Sequence, residues 1–309
     1  QGVVISDGTT RVMVDGLVVE SYALYGGLSE EGARLFSNRE GPFADIDLVL
    51  VSHRHHEHNQ PKHACRFMQG STSARLVTSA QVIGLMREKC RDFMTRSERV
   101  RQIDPQPDRV VRLTRGGARV TVFPLSHGKR KYARIQHFGH LVELGGVTLL
   151  HVGDAALDPA VFEGSILQDA AIDVALVPYR FFEPGSGAAI VQRYMDAPLK
   201  IAVHIPPDER DEIAAWLAET HPDVHVPEGP LAVYRVTAPA GIPLLFQALD
   251  DKGQAVQIMR SITYFRPGER ASCIGCHEPR SWTPAARPAL AMSQTPIRPQ
   301  PQPGDTGPR

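Results

Sequence analysis

Between Asp47 and Pro61 the chain reads DLVLVSHRHHEHNQP, a stretch that supplies His53, His55, His56, Glu57 and His58 almost consecutively. Imidazole and carboxylate are the ligand types that suit zinc, iron or manganese. In an extended segment residues i and i+2 project to one side, so His53 and His55 can share an ion, while Glu57 and His58 turn away toward a second position. Three further apolar runs each end in a residue of the same kind: TVFPLSHGK in His127, VTLLHVGDA in Asp154 and LKIAVHIPP in His204. A solvated histidine-rich tract is the competing reading of the first stretch taken alone. Strand ends that converge on one edge are where an α/β scaffold builds its site, and the three later runs favour that reading.

The elements that must position these residues are legible as periodic runs. Residues 48–51 form a short uncharged strand that stops at Ser52. Ahead of it, residues 3–6 and 11–19 read as two strands joined by a turn at Asp7 and Gly8. Residues 26–41 read as a loop with a short polar helix that runs over the future site. After the histidines come a helix over 61–69, a strand over 75–78 and an amphipathic helix over 80–90 that turns Val82, Ile83, Leu85 and Met86 inward. Hairpins over 110–113 and 119–123, then over 141–144 and 147–152, deliver His127 and Asp154. Gly153 lets the backbone come close to the site. A buried strand over 172–177, a helix over 188–195, a strand over 201–204 and a closing helix over 209–219 complete the pattern. His137 and His140 read as packed or surface histidines rather than ligands, and Cys65 and Cys90 as buried thiols whose pairing the sequence leaves open.

The set His53, His55, Glu57, His58, His127, Asp154 and His204 resembles the motif H-x-H-x-D-H, lone His, Gly-Asp, last His of the metallo-β-lactamase-fold hydrolases. Within that superfamily, HLVELGGVTLLHVGD and the run after it are most similar to the sugar-phosphate lactonase-like branch. The resemblance implies an α/β fold, a four-layer αβ/βα sandwich. It implies His53, His55 and His127 on one divalent ion, Glu57, His58 and His204 on a second, and Asp154 between them. A metal-bound hydroxide would then attack a lactone, ester or phosphoester, with Asp154 and Glu57 as the catalytic carboxylates. Zinc is the expected ion, with manganese or iron as alternatives. Glu57 departs from the family's Asp by one methylene, which implies a weaker or differently selective second site. Lys129 and Arg130, with Lys131 and Arg134, form a cationic lip suited to a substrate phosphate or carboxylate, and Tyr179 and Arg180 are candidates for the pocket wall.

Past residue 236 the character changes. Strands flank a turn at Asp250, Asp251, Lys252 and Gly253, and then Cys273, Cys276 and His277 spell C-x-x-C-H, the pattern of covalent haem c attachment. Thiols at i and i+3 add to the vinyl groups and the histidine ligates iron. Half of a zinc site is the competing reading, but no second Cys pair follows. The segment resembles the haem-bearing module of hydrazine synthase alpha subunits and related cytochromes. Met259, His221 and His225 are candidates for the opposite axial ligand. The expected organisation is a hydrolase domain over 1–236, a β-rich haem segment over 237–280 and a disordered Pro-rich tail over 281–309.

Composition narrows the function. Lys plus Arg and Asp plus Glu each number 34, so no global field attracts nucleic acid or a membrane surface. The arginines between 87 and 119 are interleaved with acids and lack stacking aromatics apart from Phe93, as on a solvated face. No apolar run approaches the ~18 residues that span a bilayer. The chain begins at Gln1, compatible with a removed signal peptide, and haem attachment points to the periplasm; a cytoplasmic location would leave the haem motif unfilled. Three readings follow: a metal-dependent hydrolase acting on a small molecule; a redox enzyme with iron in the site, fed by the haem and an electron-transfer partner; and a non-catalytic carrier. Redox relatives usually carry Glu where His55 stands, which favours hydrolysis.

Overall fold

The computed structural model describes residues 2–128, 130–233, 247–249 and 255–258, the last two segments and Arg130 by backbone alone. Two sheets face one another. The first has the order β1-β2-β3-β4-β5, from β1 (Val3–Ser6), β2 (Arg11–Val14), β3 (Leu48–Leu50), β4 (Arg75–Thr78) and β5 (Val100–Gln102). The second runs β12-β11-β10-β9-β8-β7-β6, from β6 (Val111–Arg115), β7 (Ala118–Pro124), β8 (Phe138–Leu144), β9 (Val147–His151), β10 (Val174–Pro178), β11 (Leu199–Val203) and β12 (Val224–His225).

Why the strand runs lack polar alternation becomes plain from where successive residues go. Val12 and Val14 point to the seam between the sheets, whereas Met13 points outward under the helices. Leu48 and Leu50 face the seam, and Val49 and Val51 the helices. Across the seam Val120, Val122, Val142 and Leu144 answer them, while Phe123, Leu141 and Leu150 face the opposite helical layer. Both faces of each sheet are therefore apolar, as in strands covered on two sides. Helices α1 (Glu30–Asn38), α2 (Pro61–Gly70) and α3 (Ala80–Arg96) pack on the first sheet. Helices α4 (Ser186–Tyr194) and α5 (Arg210–Thr220) pack on the second. The result is the expected four-layer αβ/βα sandwich. A separate hairpin, β13 (Gln247–Leu249) with β14 (Ala255–Ile258), flanks the turn expected at 250–253.

Several boundaries differ from expectation for local reasons. β2 ends at Val14, not at 19, because Asp15 takes a left-handed conformation at φ 51° and leaves the sheet. The amphipathic pattern over 80–90 ends at a kink, with Cys90 at φ −147° and ψ 59°, after which α3 resumes to Arg96. Leu85 is half-exposed, outside the inward face formed by Val82, Ile83 and Met86. Cys65 and Cys90 are not free thiols: they form a disulfide that ties α2 to α3, with Cα atoms 5.9 Å apart.

This disulfide closes a loop of sequence separation 25, for which cross-link entropy gives about 3 kcal/mol. Reduction, or Cys65→Ala with Cys90→Ala, is expected to lower stability by about that amount, read as the shift in a urea unfolding midpoint. A midpoint indifferent to reductant would contradict it.

Candidate metal centre

Every ligand-bearing turn leaves a strand end on the same edge of the sandwich. β7 and β9 are each antiparallel to β8, and β9, β10 and β11 are mutually parallel, so the turns after β7, β9 and β11 open together. The turn after β3 meets them from the facing sheet. Two groups of ligand atoms result, each with its members within 4.8 Å of one another: His53, His55, His127 and Asp154 in one, Glu57, His58, Asp154 and His204 in the other. These are the seven residues and the division that the sequence resemblance implied. His56 belongs to neither; it is exposed and its ring meets Tyr22.

Asp154 stands between the groups. Its Oδ2 lies 3.7 Å from His53 Nε2 and 3.6 Å from His127 Nε2; its Oδ1 lies 3.0 Å from His58 Nε2 and 2.9 Å from His204 Nε2. In the first group His55 Nδ1 is 3.0 Å from both His53 Nε2 and His127 Nε2. At the rim, Glu57 Oε1 is 3.9 Å from His55 Nδ1. Despite the short separations in the second group, Asp154 Oδ1, His58 Nε2 and His204 Nε2 are buried atoms that make no hydrogen bond. The large majority of buried polar atoms are paired, so three such nitrogen and oxygen atoms converging on one point fit a divalent cation. The donor chemistry, imidazole plus carboxylate, fits as well.

The element that sequence reasoning missed is Asp15, fully buried beneath both groups. Its Oδ1 accepts from the Ser52 backbone N–H at 2.6 Å and its Oδ2 from the Ser52 hydroxyl at 2.5 Å. His58 Nδ1 donates to the same Oδ2 at 2.7 Å. Because the Ser52 hydroxyl donates to Asp15, it accepts from His53 Nδ1 at 2.9 Å. One carboxylate thus places the ring protons of His53 and His58 on Nδ1 and leaves each Nε2 free for an ion. Burial alone would raise Asp15; the His58 charge, its hydrogen bond and the nearby His151 outweigh it and hold the carboxyl well below the usual range. An Asp followed by Gly after VMV was the only sequence signal, and it reads equally well as a turn. Left-handed backbone recurs at this edge: Asp15 and His204 take positive φ, at 51° and 61°, and Gly153, which does so without strain, at 54°.

The loop before α1 covers the second group. Tyr22 and Tyr25 close it through a reciprocal pair of 2.9 Å backbone hydrogen bonds. The Gln60 side chain fixes its base, accepting from Val19 N and Glu20 N at 2.8 and 2.9 Å and donating to Glu20 O at 2.6 Å. Tyr25 meets the His204 ring edge-on at 4.3 Å. Burial and the neighbouring Asp154 and Glu57 carboxylates push its phenol up to about 12. Tyr132 lies 4.7 Å from the His127 ring, over the first group. Of the proposed substrate residues, Tyr179 is buried and its hydroxyl accepts from Arg180 Nε at 3.4 Å. Lys129 and the side chain of Arg130 lie outside the described residues, as do Met259 and the haem motif Cys273, Cys276 and His277. Among the described residues no helix is long and apolar enough to cross a membrane.

A family model described as a beta-lactamase superfamily domain matches residues 28–228. A second, the hydrazine synthase alpha subunit middle domain, matches residues 223–278. Among curated proteins none matches the chain. Solved structures with a similar fold include Zn(2+)-bound PqqB from Methylobacterium extorquens, 14% identical over 73% of this chain and 84% of that one, with a TM-score of 0.49. The metallo-beta-lactamase fold protein YhfI from Bacillus subtilis is 17% identical over 73% and 88%, with a TM-score of 0.46. CmlA, a diiron beta-hydroxylase from Streptomyces venezuelae, is 14% identical over 70% of this chain and 49% of its own, with a TM-score of 0.42; the chain spans about half the length of that protein. At these identities and scores none of the three bears on activity.

The protonation pattern predicts how the metal-free protein responds to pH. His58 is subject to desolvation, but Asp154 and Asp15 on either side raise it to about 10, above its ordinary 6.5. Its stabilisation is complete below 6.5 and is lost as pH rises through about 10. His53, His55, His127, His137 and His140 are all lowered, chiefly by burial, so their contribution is lost as pH falls below 6.5 and the unfolded chain takes up protons. Thermal melts of chelator-treated protein are expected to peak near neutrality and fall on both sides, with zinc abolishing the alkaline decline. A profile level from pH 7 to 10 without metal would contradict the assignment of His58.

Proposed function

The chain belongs to the beta-lactamase superfamily and is a metal-dependent hydrolase, and from that premise we propose that it uses water to open a lactone or to cleave an ester or phosphoester. The observation that carries this reading is Asp154, one oxygen turned to each ligand group. His53, His55 and His127 would hold one ion, and Glu57, His58 and His204 the second, with Asp154 shared. When bound, divalent ions here supply Lewis-acid polarisation of a substrate oxygen and lower the pKa of water to about 7. Zinc is the ion we assign. No serine or cysteine nucleophile is required.

The chain's own residues do the rest. Asp15 and Ser52 hold the imidazoles of His53 and His58 with Nδ1 as donor, so that Nε2 of each ring is the atom turned to an ion. Asp154 fixes the spacing of the groups, and Glu57, at the half-exposed rim, is the second catalytic carboxylate. Tyr25 keeps its phenol proton at neutral pH and can offer it to a substrate oxygen above His204. We assign Arg180, beside Tyr179, and the Lys129–Arg130 lip to an anionic substituent, which suits a sugar-phosphate lactone. We place the protein outside the cytoplasm: the Cys65–Cys90 disulfide suits an oxidising compartment, as does the haem c motif.

A second reading rests on C-x-x-C-H within the segment matched by the hydrazine synthase model. There Cys273, Cys276 and His277 carry haem c that passes electrons from a partner to iron in the centre. His55 at the second ligand position favours hydrolysis over this.

Elemental analysis and an absorption spectrum on one sample from export-competent expression separate the readings. Two zinc equivalents with turnover of a lactone or of bis(4-nitrophenyl) phosphate support the hydrolase. Asp154→Ala is expected to lose both ions and Glu57→Asp to bind the second more tightly; equal stoichiometry and activity in wild type and Glu57→Asp would count against the role given to Glu57. A Soret band that disappears in Cys273→Ser, together with iron in excess of haem, would instead promote the redox reading.

A further inference from the structure

We propose that His137 is a positioning residue for the metal centre: it is not a ligand, but it fixes the turn that presents the Asp154 carboxylate to both ligand groups. The proposal rests on the metal-centre reading above and deepens it.

His137 precedes β8 and is only 2% exposed. It belongs to neither ligand group. Its Nε2 accepts a hydrogen bond from the Asp154 backbone N–H at 2.9 Å, and an accepting Nε2 requires the neutral ring with its proton on Nδ1. The backbone around it joins the other turns of the site. His137 O accepts from Leu125 N at 3.1 Å, next to the His127 turn, and Phe138 N donates to Ser52 O at 3.0 Å, next to His53. Its ring packs 4.9 Å from the His53 ring and 5.6 Å from that of His127.

The turn it holds has no other room. Gly153 sits at φ 54°, and a Cβ there would come within 2.6 Å of His137 Nε2 and 2.9 Å of Ser52 Oγ. Gly153 and His137 therefore form one fitted contact: the glycine lets the turn approach, and the imidazole catches the next N–H. Because Asp154 Oδ1 lies within 3.0 Å of both His58 and His204, loss of that catch lets the shared carboxylate leave both groups at once.

His137→Phe keeps the ring volume and removes the acceptor, whereas His137→Gln can return an amide oxygen near the same place. Zinc affinity, measured in competition with a chromophoric chelator, is expected to fall by roughly 10–100-fold in His137→Phe and to be largely restored in His137→Gln. At saturating zinc, kcat on bis(4-nitrophenyl) phosphate should fall in His137→Phe and return toward wild type in His137→Gln with KM little changed in either, since the residue acts through Asp154 and not on substrate. The chelated variants should melt within a few degrees of each other, so rescue seen in zinc binding and kcat but not in melting separates positioning from packing. Wild-type affinity in His137→Phe, or equal loss in the two variants, would overturn the proposal. A wild-type protein that takes up no zinc would overturn the metal-centre reading itself, a different and recognisable failure.

Discussion

A single buried carboxylate sets the terms for the centre. Asp15 receives the Ser52 N–H, the Ser52 hydroxyl and His58 Nδ1, and through that hydroxyl it also orients His53. A charge held without solvent is costly unless its lone pairs find donors. Here the donors are one ligand histidine, His58, together with the amide and the hydroxyl of Ser52, the residue that in turn orients His53 of the other group. Desolvation of the acid and tautomer choice in the ligands are thus one problem with one solution. The strand must end at Val14 to deliver Asp15 inward, which explains why an apolar run in the sequence gives way to left-handed backbone.

The fold and the ligands were readable because each was written in a local code. Strand runs with both faces apolar, each ending in His, Asp or Gly-Asp, announce a covered sheet with a site at its strand ends. The order His53, His55, Glu57, His58, His127, Asp154, His204 then assigns those ends to groups. The residues that support the ligands carry no such code. Asp15 reads as a turn former, and its role exists only once β2 and β3 lie side by side. His137 reads as a lone histidine until β8 and β9 are paired and the Asp154 turn folds over it. Cys65 and Cys90 lie on different helices, and nothing in their spacing says that those helices touch.

The loop before α1 shows the same division. A connection over residues 26–41 is legible as such, but its working part lies earlier, at Tyr22 and Tyr25, and is held by Gln60 from the histidine segment itself. Gln60 stands where α2 begins with Pro61 and gives no side-chain cap to that helix; its amide is committed to the loop instead. Ligand segment and covering loop are therefore one mechanical unit.

The site straddles the seam of the sandwich. His53 and His55 from the first sheet meet His127 and Asp154 from the second, and Glu57 and His58 from the first meet Asp154 and His204 from the second. Each group draws two ligands from either side. A chain carrying one sheet and its helices would present only two ligands to each group, so docking of the two halves and completion of the centre are one event.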